Sequence, residues 1–86
     1  MRELLQEYTT LVVSPDDTTY IVRSYGEERT DGTWKGWLEF EPSDSSKPNL
    51  LTDQETSQPN RVAIGYWATG LEPVYFEGAF GRAYAK

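Results

Sequence analysis

Apolar and polar residues alternate most regularly between Thr33 and Glu41. Trp34, Gly36, Leu38 and Phe40 fall on one side of this run, and Lys35, Trp37, Glu39 and Glu41 on the other. A period of two is that of a half-buried strand, and Pro42 closes it, so this run is expected to be the central strand of a small sheet. A second alternating run spans Thr18 to Glu28, centred on Tyr20-Ile21-Val22-Arg23-Ser24-Tyr25. Between them Asp31-Gly32 signals a hairpin, because a type I′ turn needs positive φ at both central positions. A two-residue loop pairs Thr30 with Thr33, Glu28 with Lys35 and Gly26 with Trp37, and sets Tyr25 opposite Leu38. A three-residue loop with a bulge shifts every pairing by one.

The remaining pattern is less regular. Leu4, Leu5, Tyr8, Leu11 and Val12 have helical spacing, whereas Thr9-Thr10-Leu11-Val12-Val13 is rich in β-branched residues. A short, frayed helix near Arg2 to Tyr8 is expected, and residues 1–17 are set apart from a single domain over 18–86. Ser14-Pro15-Asp16-Asp17 reads as a turn, and residues 42–49, with two Pro and three Ser, as a mobile surface loop. Leu50-Leu51-Thr52 is a short third strand. Pro59 suits the first turn of a helix running to Thr69, with Gly70 expected in the left-handed position beyond it, Leu71 folding back near Tyr66, and Pro73 preventing continuation. Val62, Ala63, Tyr66 and Trp67, broadened by Ile64 and Ala68, make that helix mostly enclosed. For the last segment, Val74 to Glu77 reads as a strand followed by a short terminal helix. The rival is a single helix, which the spacing of Tyr75, Phe76, Ala79, Phe80, Ala83 and Tyr84 also fits. The resulting fold is α+β: a small antiparallel sheet built on a β-hairpin, one main helix packed across one face, and a C-terminal strand or helix.

Size and composition narrow this further. A chain of 86 residues buries only roughly 60–65% of its unfolded surface, so the core has to be rich in large side chains. Three Trp, six Tyr and three Phe supply them. There is no Cys and no His, which removes disulfides, the thiol nucleophile, the commonest general base and the commonest metal ligand. The formal charge is −6, with scattered basic residues, so nucleic acid and anionic membranes are disfavoured as partners. No apolar run is long enough to span a bilayer, and the opening residues are too acidic and polar for a signal peptide. A cytoplasmic protein is the default expectation.

Three stretches carry a likeness: Asp31-Gly32-Thr33-Trp34-Lys35-Gly36-Trp37-Leu38-Glu39-Phe40, Glu55-Thr56-Ser57-Gln58-Pro59-Asn60-Arg61, and Tyr66-Trp67-Ala68-Thr69-Gly70-Leu71-Glu72-Pro73-Val74-Tyr75. Together they resemble a family of small bacterial proteins of unknown function, over roughly Tyr20 to Ala83. The resemblance implies a self-contained bacterial domain and brings no activity, cofactor or catalytic residue.

Candidate chemistry is correspondingly thin. Glu39 and Glu41 share a strand face with Lys35, but carboxylates two residues apart on a sheet face are ordinarily surface. Asp53, Glu55 and Thr56 lack the glycine and ligand spacing of a calcium loop and read as helix-capping residues. Gly65, Gly70, Gly78 and Gly81 match no phosphate-cradling pattern. No catalytic residue, metal or cofactor is implied. The aromatics stand out. If the helix covers Trp34, Leu38 and Phe40, Trp37 points the other way, flanked by Lys35 and Glu39 and accompanied by Tyr20. Such a Trp is either covered by another segment of the chain or anchors a binding surface. The expected function is a non-catalytic interaction module. Its partner, another protein or a second copy, would bind on the Trp37 face or at an exposed sheet edge. The alternative is single-stranded nucleic-acid binding by stacking bases on Tyr20, Tyr25 or Trp37.

Overall fold

The computed structural model describes residues 1–85. Its elements are β1 (Glu3–Val13), β2 (Thr19–Glu28), β3 (Trp34–Pro42), β4 (Leu50–Leu51), β5 (Thr56–Gln58), α1 (Arg61–Thr69) and α2 (Pro73–Tyr84). The fold is α+β. β1, β2 and β3 form an antiparallel meander, and both β4 and β5 pair with the far side of β3. Buried residues of both helices, Ile64, Ala68, Phe76, Ala79, Phe80 and Ala83, pack against the face carrying Leu38 and Phe40.

The hairpin adopts the three-residue loop. Arg29 N–H donates to the Thr33 carbonyl (2.7 Å) and Gly32 N–H to the Arg29 carbonyl (3.0 Å), with Gly32 at φ 87°. Asp31 Oδ1 accepts from Thr33 N–H (3.0 Å) and from its hydroxyl (2.7 Å), which favours this loop over the two-residue one. The pairs are therefore Tyr25 with Trp37, Gly26 with Gly36, and Glu27 with Lys35, each one residue from the expected set. Because side chains alternate, the slip turns over all of β2. Tyr20, Val22 and Ser24 face the helices, while Ile21, Arg23, Tyr25 and Glu27 face outward.

The N-terminal segment is a strand, not a helix, and belongs to the sheet. Its pairing with β2 is irregular between Leu4 and Gln6 and again between Glu7 and Leu11. These irregularities insert extra residues, so Leu5, Tyr8 and Val12 reach the helix side at intervals of three and four. Helical spacing here is the signature of a strand with two bulges. The Tyr8 hydroxyl bonds the Ala68 carbonyl (2.5 Å) and lies 3.0 Å from Ser24 Oγ, tying β1 to the end of α1.

The C-terminal segment is one continuous helix, which overturns the preferred strand at Val74–Glu77. Phe76, Ala79, Phe80 and Ala83 bury along a single stripe, while Gly78 and Gly81 lie on the exposed side. Pro73 opens this helix at its first turn instead of only closing the previous one. Gly70 is right-handed (φ −89°), with its N–H shared between the Tyr66 and Trp67 carbonyls, and so departs from the left-handed expectation. α1 starts at Arg61, not at Pro59: Asn60 caps it by accepting from Ala63 N–H (2.9 Å), which leaves Pro59 one residue outside the helix. Of the residues assigned to the apolar stripe of α1, Val62 and Tyr66 are exposed, and only Ile64 and Ala68 are buried.

Those two buried positions explain how α1 docks. Gly26 and Gly36 sit opposite each other on the helix side, and Ile64 enters the hollow they leave. A Cβ on Gly36 would lie 2.9 Å from the Trp67 ring, 3.0 Å from Thr56 Cγ2 and 3.1 Å from Ile64 Cδ1. α2 is pinned separately by Glu55, whose carboxylate accepts from the Tyr75 hydroxyl and from Arg82 Nη2 at 2.5 Å. Lys47 pairs with Asp16, linking the exposed 43–49 loop to the β1–β2 turn.

Two outcomes follow from this packing. Gly36→Ala is expected to cost about 1–3 kcal/mol by overpacking, read as a lower denaturant midpoint; an unchanged midpoint would show that α1 does not seat on the glycine pair. Burial, and then the hydrogen bond to Glu55, push the Tyr75 phenol up to about 12. A raised folded-state pKa means that this contribution is complete below the ordinary phenol pKa of about 10 and is lost as pH rises through the folded value. Ultraviolet titration should show a late-ionising phenol that Tyr75→Phe removes, and an unaltered high-pH limb in that variant would refute the contact.

Candidate functional site

The outer face of the sheet is built around a break in the strand beside β3. Gly36 pairs with Thr56 and Glu39 with Leu51, so the two residues Trp37 and Leu38 face the four residues Thr52–Glu55. Thr52 partly repairs the ladder. Its N–H donates to the Leu38 carbonyl (3.0 Å), and its hydroxyl accepts from Leu38 N–H (3.0 Å). Glu55 N–H then donates to the Gly36 carbonyl (2.8 Å). Between these anchors Asp53 and Gln54 swing out, and Arg29 holds Gln54 Oε1 at 2.7 Å. The result is a concavity of about 530 Å³ whose floor includes Trp37 and Leu51, with Arg2, Glu27 and Lys35 along its side.

Trp37 is half-buried and held from two directions. Its ring stacks on Tyr25 (centroids 6.2 Å apart), and Lys35 Nζ lies 5.8 Å from its centroid. The indole Nε1 is buried and makes no hydrogen bond to the protein. Tyr25 is itself covered by the Arg2 guanidinium at 4.1 Å, and the same guanidinium donates to the nearly buried Glu39 carboxylate at 2.7 Å. Hydrogen bonding by Glu39 and its negative charge raise the Arg2 pKa further, so this cation is fixed at any ordinary pH. Farther along the same face, Arg23 bridges Glu41 and Glu7, and those two carboxylates likewise raise its pKa.

Of the residues singled out in the sequence, Trp37, Lys35 and Glu39 lie together on this face. Tyr20 does not. It is 4% exposed and packs against Phe80 (4.9 Å) in the core, because the one-residue register difference carries it to the helix side. Tyr25 takes its place beside Trp37. Lys35 pairs with Glu27 (3.4 Å) in place of Glu28, for the same reason. Glu39 and Glu41 each meet their own arginine, Arg2 and Arg23. Glu55 and Thr56 hold α2 and form β5, and capping falls to Asn60.

Arg2 and the Thr52–Gln54 wall were not anticipated, and Tyr25 was named only as a stacking ring in the nucleic-acid alternative. The three-residue loop would have pointed to Tyr25. Arg2 required knowing that β1 is a strand. Among the described residues no group of three or more acidic, His or Cys side chains could hold a metal ion, and no helix is long and apolar enough to cross a membrane. No protein-family model, curated protein or solved structure matches the chain.

With Trp34→Phe and Trp67→Phe in place, Trp37 becomes the sole indole, and acrylamide is expected to quench it to an intermediate extent. Quenching equal to that of free indole, or none, would contradict the half-buried geometry.

Proposed function

We propose that this chain is a non-catalytic interaction module that binds a partner protein on the outer face of its sheet, with Trp37 as anchor. One observation carries the reading: both helices pack on one side of the sheet, leaving the other side to a concavity floored by an indole. Leu4 and Leu51 are exposed on this outer face, and Leu11 and Val13 extend the apolar surface toward its far end. Trp and Arg are among the side chains that most often carry interface energy, and here Arg2 already contacts Glu39 and the Tyr25 ring on which Trp37 stacks. The Arg2–Glu39 and Glu7–Arg23–Glu41 pairs supply polar surroundings of both signs.

Single-stranded nucleic acid fits less well. Tyr25 lies beneath Arg2, which leaves one ring for stacking, and the chain carries a net charge of −6. The resemblance to small bacterial proteins adds no activity, so the reading rests on geometry.

The test is cross-linked affinity capture from the source cells with wild type, Trp37→Ala and Tyr66→Ala. Tyr66 is exposed on α1 and serves as the control. A hot-spot anchor is worth about 2 kcal/mol or more, so Trp37→Ala should weaken the captured complex by about thirtyfold while Tyr66→Ala leaves it intact. Equal capture by wild type and Trp37→Ala would reject the proposal, as would quenching of Trp37 by oligonucleotides at low salt.

A further inference from the structure

We infer that the free edge of β1 at Thr10–Val13 is a second binding site, one that accepts an extended peptide bearing alternate apolar residues and a lysine or arginine. This goes beyond the Trp37 reading. β1 lies at the opposite edge of the sheet from β4 and β5, and none of Thr10–Val13 lines the Trp37 concavity.

Three observations converge on the edge. First, the sheet order leaves β1 with a strand neighbour on one side only. Sheet edges are ordinarily protected by charges, proline or brevity. β1 runs for 11 residues, and its stretch Thr9-Thr10-Leu11-Val12-Val13 contains neither a charge nor a proline. Its bulge lies before Leu11, so the segment from Leu11 to Val13 pairs regularly with β2 and presents an undistorted edge.

Second, this edge borders a groove. Thr10–Val13 form one wall, and Pro73, Glu77 and Phe80 of α2 form the other, around about 340 Å³. A strand added to β1 would place alternate side chains on opposite faces. Those on the helix side enter the groove toward Phe80, and those on the outer side meet Leu11 and Val13, which are 56% and 59% exposed. Apolar surface is thus present on both sides of a single edge. That is the arrangement an added strand needs and a solvated edge does not.

Third, charge selects the occupant. Glu77 stands on the groove wall one helical turn from Pro73 and has no ion-pair partner among the described residues. A second copy of this chain would bring another −6 and its own Glu77 to the contact. A cationic side chain next to the apolar ones instead finds an unpaired carboxylate at the rim. The complementary partner is therefore a basic β-forming peptide segment and not a second copy.

The probe is a phage-displayed random library of peptides of about eight residues, long enough for one strand, panned on the intact protein at low salt. Recovered sequences should alternate apolar residues with Lys or Arg, and the synthetic peptides should shift backbone amide resonances at Thr10–Val13 and Glu77. Glu77→Lys should weaken them about tenfold, methylation of alternate peptide nitrogens should abolish binding, and Trp37→Ala should leave it unchanged. The inference is overturned if no peptide is enriched, or if the shifts map to the Trp37 concavity. Undiminished affinity of Glu77→Lys for the recovered peptides would overturn it too, as would sedimentation showing self-association through β1 in place of peptide binding. Glu77 is exposed, so its substitution leaves the fold available for the measurement.

Discussion

The fold turns on the hairpin register. Asp31 holds Thr33, Gly32 adopts a positive φ that side chains rarely tolerate, and the Arg29–Thr33 loop closes with three residues. Once it has closed that way, the two glycines meet and Ile64 has somewhere to go. The same register brings Tyr25 under Trp37 and sends Tyr20 to meet Phe80. A two-residue loop would put a glycine opposite Trp37 and a tyrosine opposite Leu38. The helix seat and the aromatic stack would then disappear together. Core and candidate surface are two sides of one decision about register.

Much of the architecture was legible in the chain itself. The period of two over Trp34–Glu41 and Thr18–Glu28 is strong because both strands have one buried and one solvated face. The short strand at Leu50–Leu51 and the end of the main helix at Thr69 were legible too, although Pro59 precedes the cap instead of opening the helix and Gly70 is right-handed. What escaped was set by tertiary context. The bulges of β1 mimic helical spacing, and only the β-branched run Thr9–Val13 pointed locally to a strand. β5 is three polar residues, Thr56-Ser57-Gln58, that become a strand only because β3 offers them an unpaired edge. Val74-Tyr75-Phe76 has strand-forming residues, but Phe76, Ala79, Phe80 and Ala83 lie at helical spacing and bury together as one stripe against the sheet.

The candidate site was legible in its centre and not in its frame. Trp37, Lys35 and Glu39 follow from alternation alone. Tyr25 depends on loop length, Arg2 on the state of the N-terminal segment, and Thr52–Gln54 on a strand break that has no sequence signal of its own. Residues that line a surface from several strands become visible only once pairing is known. The Arg2 side chain illustrates this, since it joins the first strand to the third through Glu39 while resting on a ring of the second.

The interrupted strand beside β3 has one more consequence. Thr52 and Glu55 are each fastened to the β3 backbone, and Glu55 also to α2, so the pairing with β3 is held on either side of the span between them. A change at Asp53-Gln54 would reshape what the indole meets while leaving those two anchors in place, at the loss of the Gln54 contact to Arg29 in the hairpin loop. The two anchors carry the pairing, and the two residues between them shape the rim.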